Sequence, residues 1–183
     1  TSSGNAIYYA KGATGDGNVG IGTAAPQALL DVNGSILQRV PVTLTIKGSV
    51  QDATNLNGPY GVFVSGRYAY VTANTGDRLS IVDISVSNSP VVVGSVTSGF
   101  LDAAVGVFVS GRYAYVTATN RLTVVDVSNP SSPVVAGSLS DSTNLNLPWA
   151  VFVSGRYAYV ASLNGNRLTV VDVSNPSSPV VAG

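Results

Sequence analysis

The sequence has no cysteine, histidine, methionine or glutamate. Without cysteine there is no disulfide, no thiolate nucleophile and no thiolate metal site. Without histidine there is no Ser-His-Asp or Cys-His relay and no imidazole ligand for zinc. The lack of Glu and Met, with Lys11 and Lys47 as the only lysines, removes many good helix formers and leaves strand formers in their place. Charged residues make up only 10% of the chain, every acid is Asp, and the formal net charge is zero. The solvated surface therefore rests on Ser, Thr and Asn. Nothing in this balance marks a nucleic-acid footprint or an anionic-membrane patch. No apolar run approaches the roughly 20 residues of a helical membrane span. Thr1 is not a translation start, which points to a processed N-terminus or, preferably, a piece of a longer protein.

What is present is a repeat. Val62-Phe63-Val64-Ser65-Gly66-Arg67-Tyr68-Ala69-Tyr70-Val71 returns without substitution as Val107–Val116 and as Val151–Val160, its starts 45 and then 44 residues apart. A period of this length marks a repeat architecture. Each copy sets two apolar runs around Ser-Gly, where glycine supplies the positive φ of a tight hairpin. Two further runs follow in each repeat: Leu79–Ile84 and Val91–Val96, Leu122–Val127 and Val134–Leu139, then Leu168–Val173 and Val180 onward. Four short strands per repeat predict an all-β chain built of four-stranded antiparallel meanders, the blades of a β-propeller. Three repeats (about 60–104, 105–148 and 149–183) leave that ring incomplete. Pro41–Val50 alternates and reads as a leading strand over 39–50, expected to join the first blade as an outermost strand. The organisation is thus 1–38, a glycine-rich segment, and 39–183, the repeats.

Arg121-Leu122-Thr123-Val124-Val125-Asp126-Val127-Ser128-Asn129-Pro130-Ser131-Ser132-Pro133-Val134 resembles the LVIVD repeat of bacterial and archaeal surface β-propellers, and the upstream Val-x-Val-Ser-Gly-x-Tyr-Ala-Tyr-Val strengthens the likeness. The resemblance covers about residues 60–183 and implies extracellular display, with no ligand specified. In the first segment, Gly17–Pro26 followed by Leu30–Ser35 resembles the "GNVGIGT-x-x-P…LDVNGS" element of phage tail-fibre and related bacterial surface proteins. That likeness implies an extended, commonly trimeric, β-structured fibre. Gly15–Gly20 also spells a dinucleotide fingerprint, but Gly20, Gly22 and Pro26 deny it the helix on which a pyrophosphate would sit.

Few residues suit chemistry. Asp83, Asp126 and Asp172 close the third run of each repeat and are expected to accept N–H groups of the following turn. Arg67, Arg112 and Arg156 recur after the hairpin glycine and are expected to bond turn carbonyls or a neighbouring Asp. Asp52–Asn57 and Asp141–Asn146 are oxygen-dense, so calcium is the one ion with any argument. They lack EF-hand spacing, and no cofactor or metal site is assigned. No catalytic residue is assigned either, because the acids are spread one per blade instead of paired.

The copies differ mainly in the loop before the first strand and the loop between the second and third. In a meander both lie on one rim. That rim is the candidate binding surface: Tyr60, Phe100 and Trp149, with Asn55, Asn57, Asn144 and Asn146. The expected function is a non-enzymatic, extracellular structural and adhesive protein, part of a tail fibre or surface appendage on a virion or cell. The expected partners are homo-oligomer or filament neighbours, with the open face beyond blade three meeting another chain or further repeats, and a host-surface glycan or protein receptor, with no nucleic acid and no membrane insertion. Two other classes stand beside it: a self-assembling filament or coat subunit whose neighbours complete each other's sheets, and an enzyme on a propeller scaffold.

Overall fold

A computed structural model describes residues 7–11, 17–21, 30–32 and 44–182. The chain divides into two compact units, Thr1–Thr45 and Ile46–Gly183. In the first, β1 (Ile7–Lys11) pairs antiparallel with β2 (Gly17–Ile21), which pairs parallel with β3 (Leu30–Val32). The GNVG stretch is therefore strand in β2, and no helix follows among the described residues.

The second unit is three four-stranded antiparallel sheets, each in simple meander order. Blade one holds β4 (Pro59–Ser65), β5 (Tyr68–Ala73), β6 (Arg78–Asp83) and β7 (Val91–Thr97). Blade two holds β8 (Val107–Ser110), β9 (Tyr113–Ala118), β10 (Arg121–Asp126) and β11 (Val134–Ser140). Blade three holds β12 (Pro148–Ser154), β13 (Tyr157–Ser162), β14 (Arg167–Asp172) and the short β15 (Val180–Val181). No helix occurs among the described residues, and so none long and apolar enough to cross a membrane. This is the all-β, propeller-type architecture that the repeat pattern predicts.

The hairpins form for the reason the sequence suggests. Gly66, Gly111 and Gly155 sit at φ 59°, 58° and 59°, and each has open space where a Cβ would project. Glycine is needed there for the backbone, not for room. The middle strands β9 and β10 are apolar on both faces and buried along most of their length, because blade two is covered from both sides.

Two joints hold the blades together. In joint one, Tyr70, Leu79 and Ile81 of blade one pack on Leu101, Val107 and Val109 of blade two. In joint two, Tyr115, Leu122 and Val124 of blade two pack on Leu145, Val153 and Val160 of blade three. Phe63, Phe108 and Phe152 stand at one repeat position and form a ladder along the first strands, with ring centroids 4.7 Å apart at each step. Each joint also has a polar clasp. The Thr72 hydroxyl accepts from Gly61 N at 2.8 Å within its blade and donates to Val105 O of the next at 2.6 Å. Thr117 does the same with Gly106 N (2.8 Å) and, more loosely, Trp149 O (3.5 Å). The glycines let the backbones meet: a Cβ on Gly106 would lie 2.6 Å from Trp149 O, and one on Gly61 would crowd Val105 O still more.

No strand forms over the described part of the leading segment. Residues 44–50 carry no strand, and 39–43 lie outside the described residues. A Cβ on Gly48 would meet the Asn88 Cα at 2.8 Å, much as one on Gly94 would meet Ser131 (3.0 Å) and one on Gly137 would meet Ser177 (2.7 Å). The segment thus lies on the Ser87–Asn88 turn of blade one as β7 lies on blade two. It has the station of an outermost strand, but among the described residues no third strand lies beside it to supply a ladder, and its Leu44 and Ile46 stay exposed.

Candidate functional site

The rim opposite the Ser-Gly turns is assembled from the loop before each first strand and the hairpin between the second and third. A leucine anchors each loop: Leu56 is half-buried, Leu101 and Leu145 fully buried. The residue before it gives its carbonyl to a buried hydroxyl of the third strand, so Ser80 donates to Asn55 O, Thr123 to Phe100 O and Thr169 to Asn144 O. Asn55, Phe100 and Asn144 therefore occupy one repeat position. An arginine of the third strand engages each side chain: Arg78 donates to Asn55 Oδ1 at 2.8 Å, Arg167 donates to Asn144 Oδ1, and Arg121 lies over the Phe100 ring at 5.3 Å. These three rim candidates hold the loop to its own blade.

The acids of the same loops are used locally. Asp52 accepts from Thr54 N (2.9 Å), Asn55 N (2.8 Å) and Asn55 Nδ2 (2.7 Å). Asp141 repeats the pattern with Thr143 N, Asn144 N and Asn144 Nδ2. Those bonds, led by the one from the Asn backbone, hold both carboxyls below their usual range. Among the described residues no three His, Cys, Asp or Glu side chains gather as a metal group. Asn57 is exposed, with its carbonyl accepting from Gly76 N at 3.1 Å; Asn146 is half-buried.

Tyr60 and Trp149 behave differently. They come from blades one and three, yet their rings meet edge to face, with centroids 5.8 Å apart and an interplanar angle of 77°. Val105 holds the same repeat position in blade two, between them. They remain 60% and 50% exposed, which leaves most of both rings free for a ligand. Beside them opens an apolar pocket of about 150 Å³, lined chiefly by Tyr60, Val105, Ala118, Leu147 and Trp149, with Asn74 and Thr119 as its polar groups. Phe100 is not part of it.

Two of its residues were not marked by the sequence. Ala103 and Leu147 lie in the left-handed region, at φ 49° and 48°, where Gly58 stands in blade one at 64°. Such a conformation costs a non-glycine residue roughly 1–3 kcal/mol. Hydrogen bonds hold it: Ala103 N donates to Asp77 Oδ1 at 2.9 Å and Leu147 N to Asn120 Oδ1 at 3.4 Å. The signal available was positional, since both align with Gly58.

On the far edge, Arg67, Arg112 and Arg156 form ion pairs with Asp83, Asp126 and Asp172. Each Asp also accepts the N–H two residues on, from Ser85, Ser128 or Ser174, at 2.9 Å. Each guanidinium lies over the following tyrosine, 5.2 to 5.3 Å from its centroid. The Ser85 bonds and the Arg67 pair lower Asp83 to about 2. For Asp126 and Asp172 the arginine is the larger cause, and the carboxyl is held well below its usual range.

The model of the LVIVD repeat matches residues 60–98, 103–141 and 148–183. No curated protein matches the chain. Solved structures of similar fold include hydrazine synthase of Kuenenia stuttgartiensis (19% identity, TM-score 0.56, covering 79% of this chain and 39% of that one). Others are a putative 6-phosphogluconolactonase of Bacteroides fragilis (13%, 0.60, 69% and 38%) and the periplasmic gluconolactonase of Pseudomonas aeruginosa (22%, 0.57, 70% and 39%). At these identities the likeness is one of fold, and the chain spans about two fifths of each structure's length. The three matched segments coincide with the three blades, and the chain belongs to the LVIVD repeat family.

Proposed function

We propose that this chain is a non-enzymatic, extracellular structural and adhesive protein, a portion of a tail fibre or bacterial surface appendage whose blades present the rim to a surface glycan or protein receptor. The observation that carries it is the Tyr60–Trp149 pair, two large and half-exposed aromatic rings brought together from separate blades beside an apolar pocket. Exposed aromatics in a concave setting are the usual energetic anchors of recognition. The repeat supplies the scaffold, and the variable loops supply the surface. The tail-fibre likeness of residues 17–35 supports the same reading from sequence alone.

The lactonase names among the structural neighbours do not argue for hydrolysis by this chain. It has no His, Cys or Glu. Asp83, Asp126 and Asp172 are paired to arginines, Asp52, Asp77 and Asp141 accept loop N–H groups, and no Asp lines the apolar pocket beside Tyr60 and Trp149. A general base with free lone pairs facing the pocket is what hydrolysis would need.

The test is attachment of the purified chain to bacterial cells and to a panel of cell-surface oligosaccharides, comparing wild type with Tyr60→Ala/Trp149→Ala. Binding that disappears in the double variant while strand circular dichroism is kept supports the rim. Binding that survives it moves the site, and no binding to any cell or oligosaccharide removes the adhesive reading.

A further inference from the structure

The pocket beside Tyr60 and Trp149 exists because one repeat position changes size. That position is tyrosine in blade one and tryptophan in blade three, while Val105 fills it in blade two. The smaller side chain leaves a recess of about 150 Å³ beside the two large rings. Its walls come from blade two and from the two blades packed on it, so the interior joints shape it.

No charged side chain lines this recess. Its two polar groups, Asn74 and Thr119, hold one repeat position in neighbouring blades. Asn74 Nδ2 donates to Ala104 O at 3.4 Å, which leaves Oδ1 to accept. Thr119 gives its backbone N–H to Asp102 O at 2.9 Å, and its hydroxyl is left to donate. The recess thus offers apolar walls, one acceptor and one donor. A matching group has a small apolar end, one N–H, one carbonyl and no charge, because a charge would be desolvated there without a partner. An apolar cavity of about this size holds benzene, so the volume suits a single substituent and not a chain of sugars. An acetamido group meets each condition. Its methyl takes the apolar wall, its N–H faces Asn74 Oδ1, and its carbonyl accepts from Thr119. The pyranose ring that carries it stays at the mouth, with its C–H face against the half-exposed aromatic rings.

We propose that the rim recognises neutral surface glycans through a terminal N-acetylhexosamine, whose acetamido group seats in the recess over Val105. This inference rests on the adhesive reading and specifies the sugar behind it.

Trp149 is the only tryptophan of the sequence, so its fluorescence reports on the site in the full chain. Titration with the methyl glycosides of N-acetylglucosamine and N-acetylgalactosamine is expected to shift that emission to saturation with at least one of the two. The methyl glycosides of glucose, galactose and glucosamine lack the acetamido group and leave it in place. Val105→Phe fills the recess with a ring, as this position already carries in blades one and three, and abolishes the shift while strand circular dichroism is kept. Thr119→Val removes the hydroxyl and weakens binding about tenfold, the effect of one net hydrogen bond. Equal shifts with the sugars that lack the acetamido group overturn the proposal. So does binding that Val105→Phe or Thr119→Val leaves unchanged. If cells are still held through Tyr60 and Trp149 but neither N-acetyl glycoside shifts the emission, this inference falls and the adhesive reading stands. If neither cells nor any sugar is bound, both fall.

Discussion

Asp83, Asp126 and Asp172 do one job three times, tying the end of a third strand to its own turn and to an arginine across the hairpin. Both roles were readable in the sequence, because Asp before Ser is a common turn acceptor and the Arg recurred at a fixed offset. These pairs set an acid limit. A carboxyl with a depressed folded pKa contributes stability that is complete above its unfolded value and lost as pH falls through the folded one. For Asp83 that window runs from 3.8 down to about 2, and Asp126 and Asp172 extend it lower. Thermal midpoints are therefore expected to hold level down to the ordinary carboxylate range and fall below it. Arg112→Gln should flatten that fall, and an unchanged acid profile in the variant would show that the pairs contribute nothing. Left-handed Ala103 is a case the sequence did not show: it stands four residues before Val107 as Gly58 does before Val62, but an alanine there does not announce a positive φ. Ala103→Gly relieves this strain at some entropic cost, and a gain of roughly 0.5–1 kcal/mol in urea unfolding is expected; a loss would mean the methyl's packing outweighs the strain.

At the scale of the element, strands and hairpins were legible while the contacts between blades were not. The Ser-Gly turn is stated outright by the sequence, and Gly111→Val should cost about 1 kcal/mol or more for its left-handed backbone alone, because nothing crowds the site. An unaltered midpoint would contradict the turn assignment. Residues 39–50 alternate as a strand should, and yet 44–50 form none, since a ladder needs a partner that local pattern cannot reveal. The Gly–Thr clasp was hidden for a similar reason: Gly61 sits inside a strand, where glycine is unfavourable, Gly106 stands just before one, and only the next blade's backbone explains them. Thr117→Val removes the acceptor for Gly106 N in a fully buried position, so a loss of roughly 1–3 kcal/mol is expected from denaturant unfolding. Thr72→Val should match it. A smaller effect in both than in an exposed Thr75→Val control would argue that the clasp is incidental.

For the whole molecule, repetition made the architecture readable before any contact was known, and it placed the variable loops on one rim. It did not sort that rim. Asn55, Phe100 and Asn144 looked like display residues because they vary, whereas each is gripped by its own blade's arginine; Tyr60 and Trp149 are the ones left facing out together. Stability in such an array is the sum of blades and of nearest-neighbour joints. Blade two has a joint on each side, and blades one and three have one each. Residue-resolved hydrogen exchange at a concentration where the chain is monomeric tests this most directly. The slowest amides are expected in β9 and β10, intermediate ones in β5, β6, β13 and β14, and unprotected ones over residues 44–50. Equal protection across the three blades, or protection of 44–50 as strong as that of β9, would contradict a fold held by its joints.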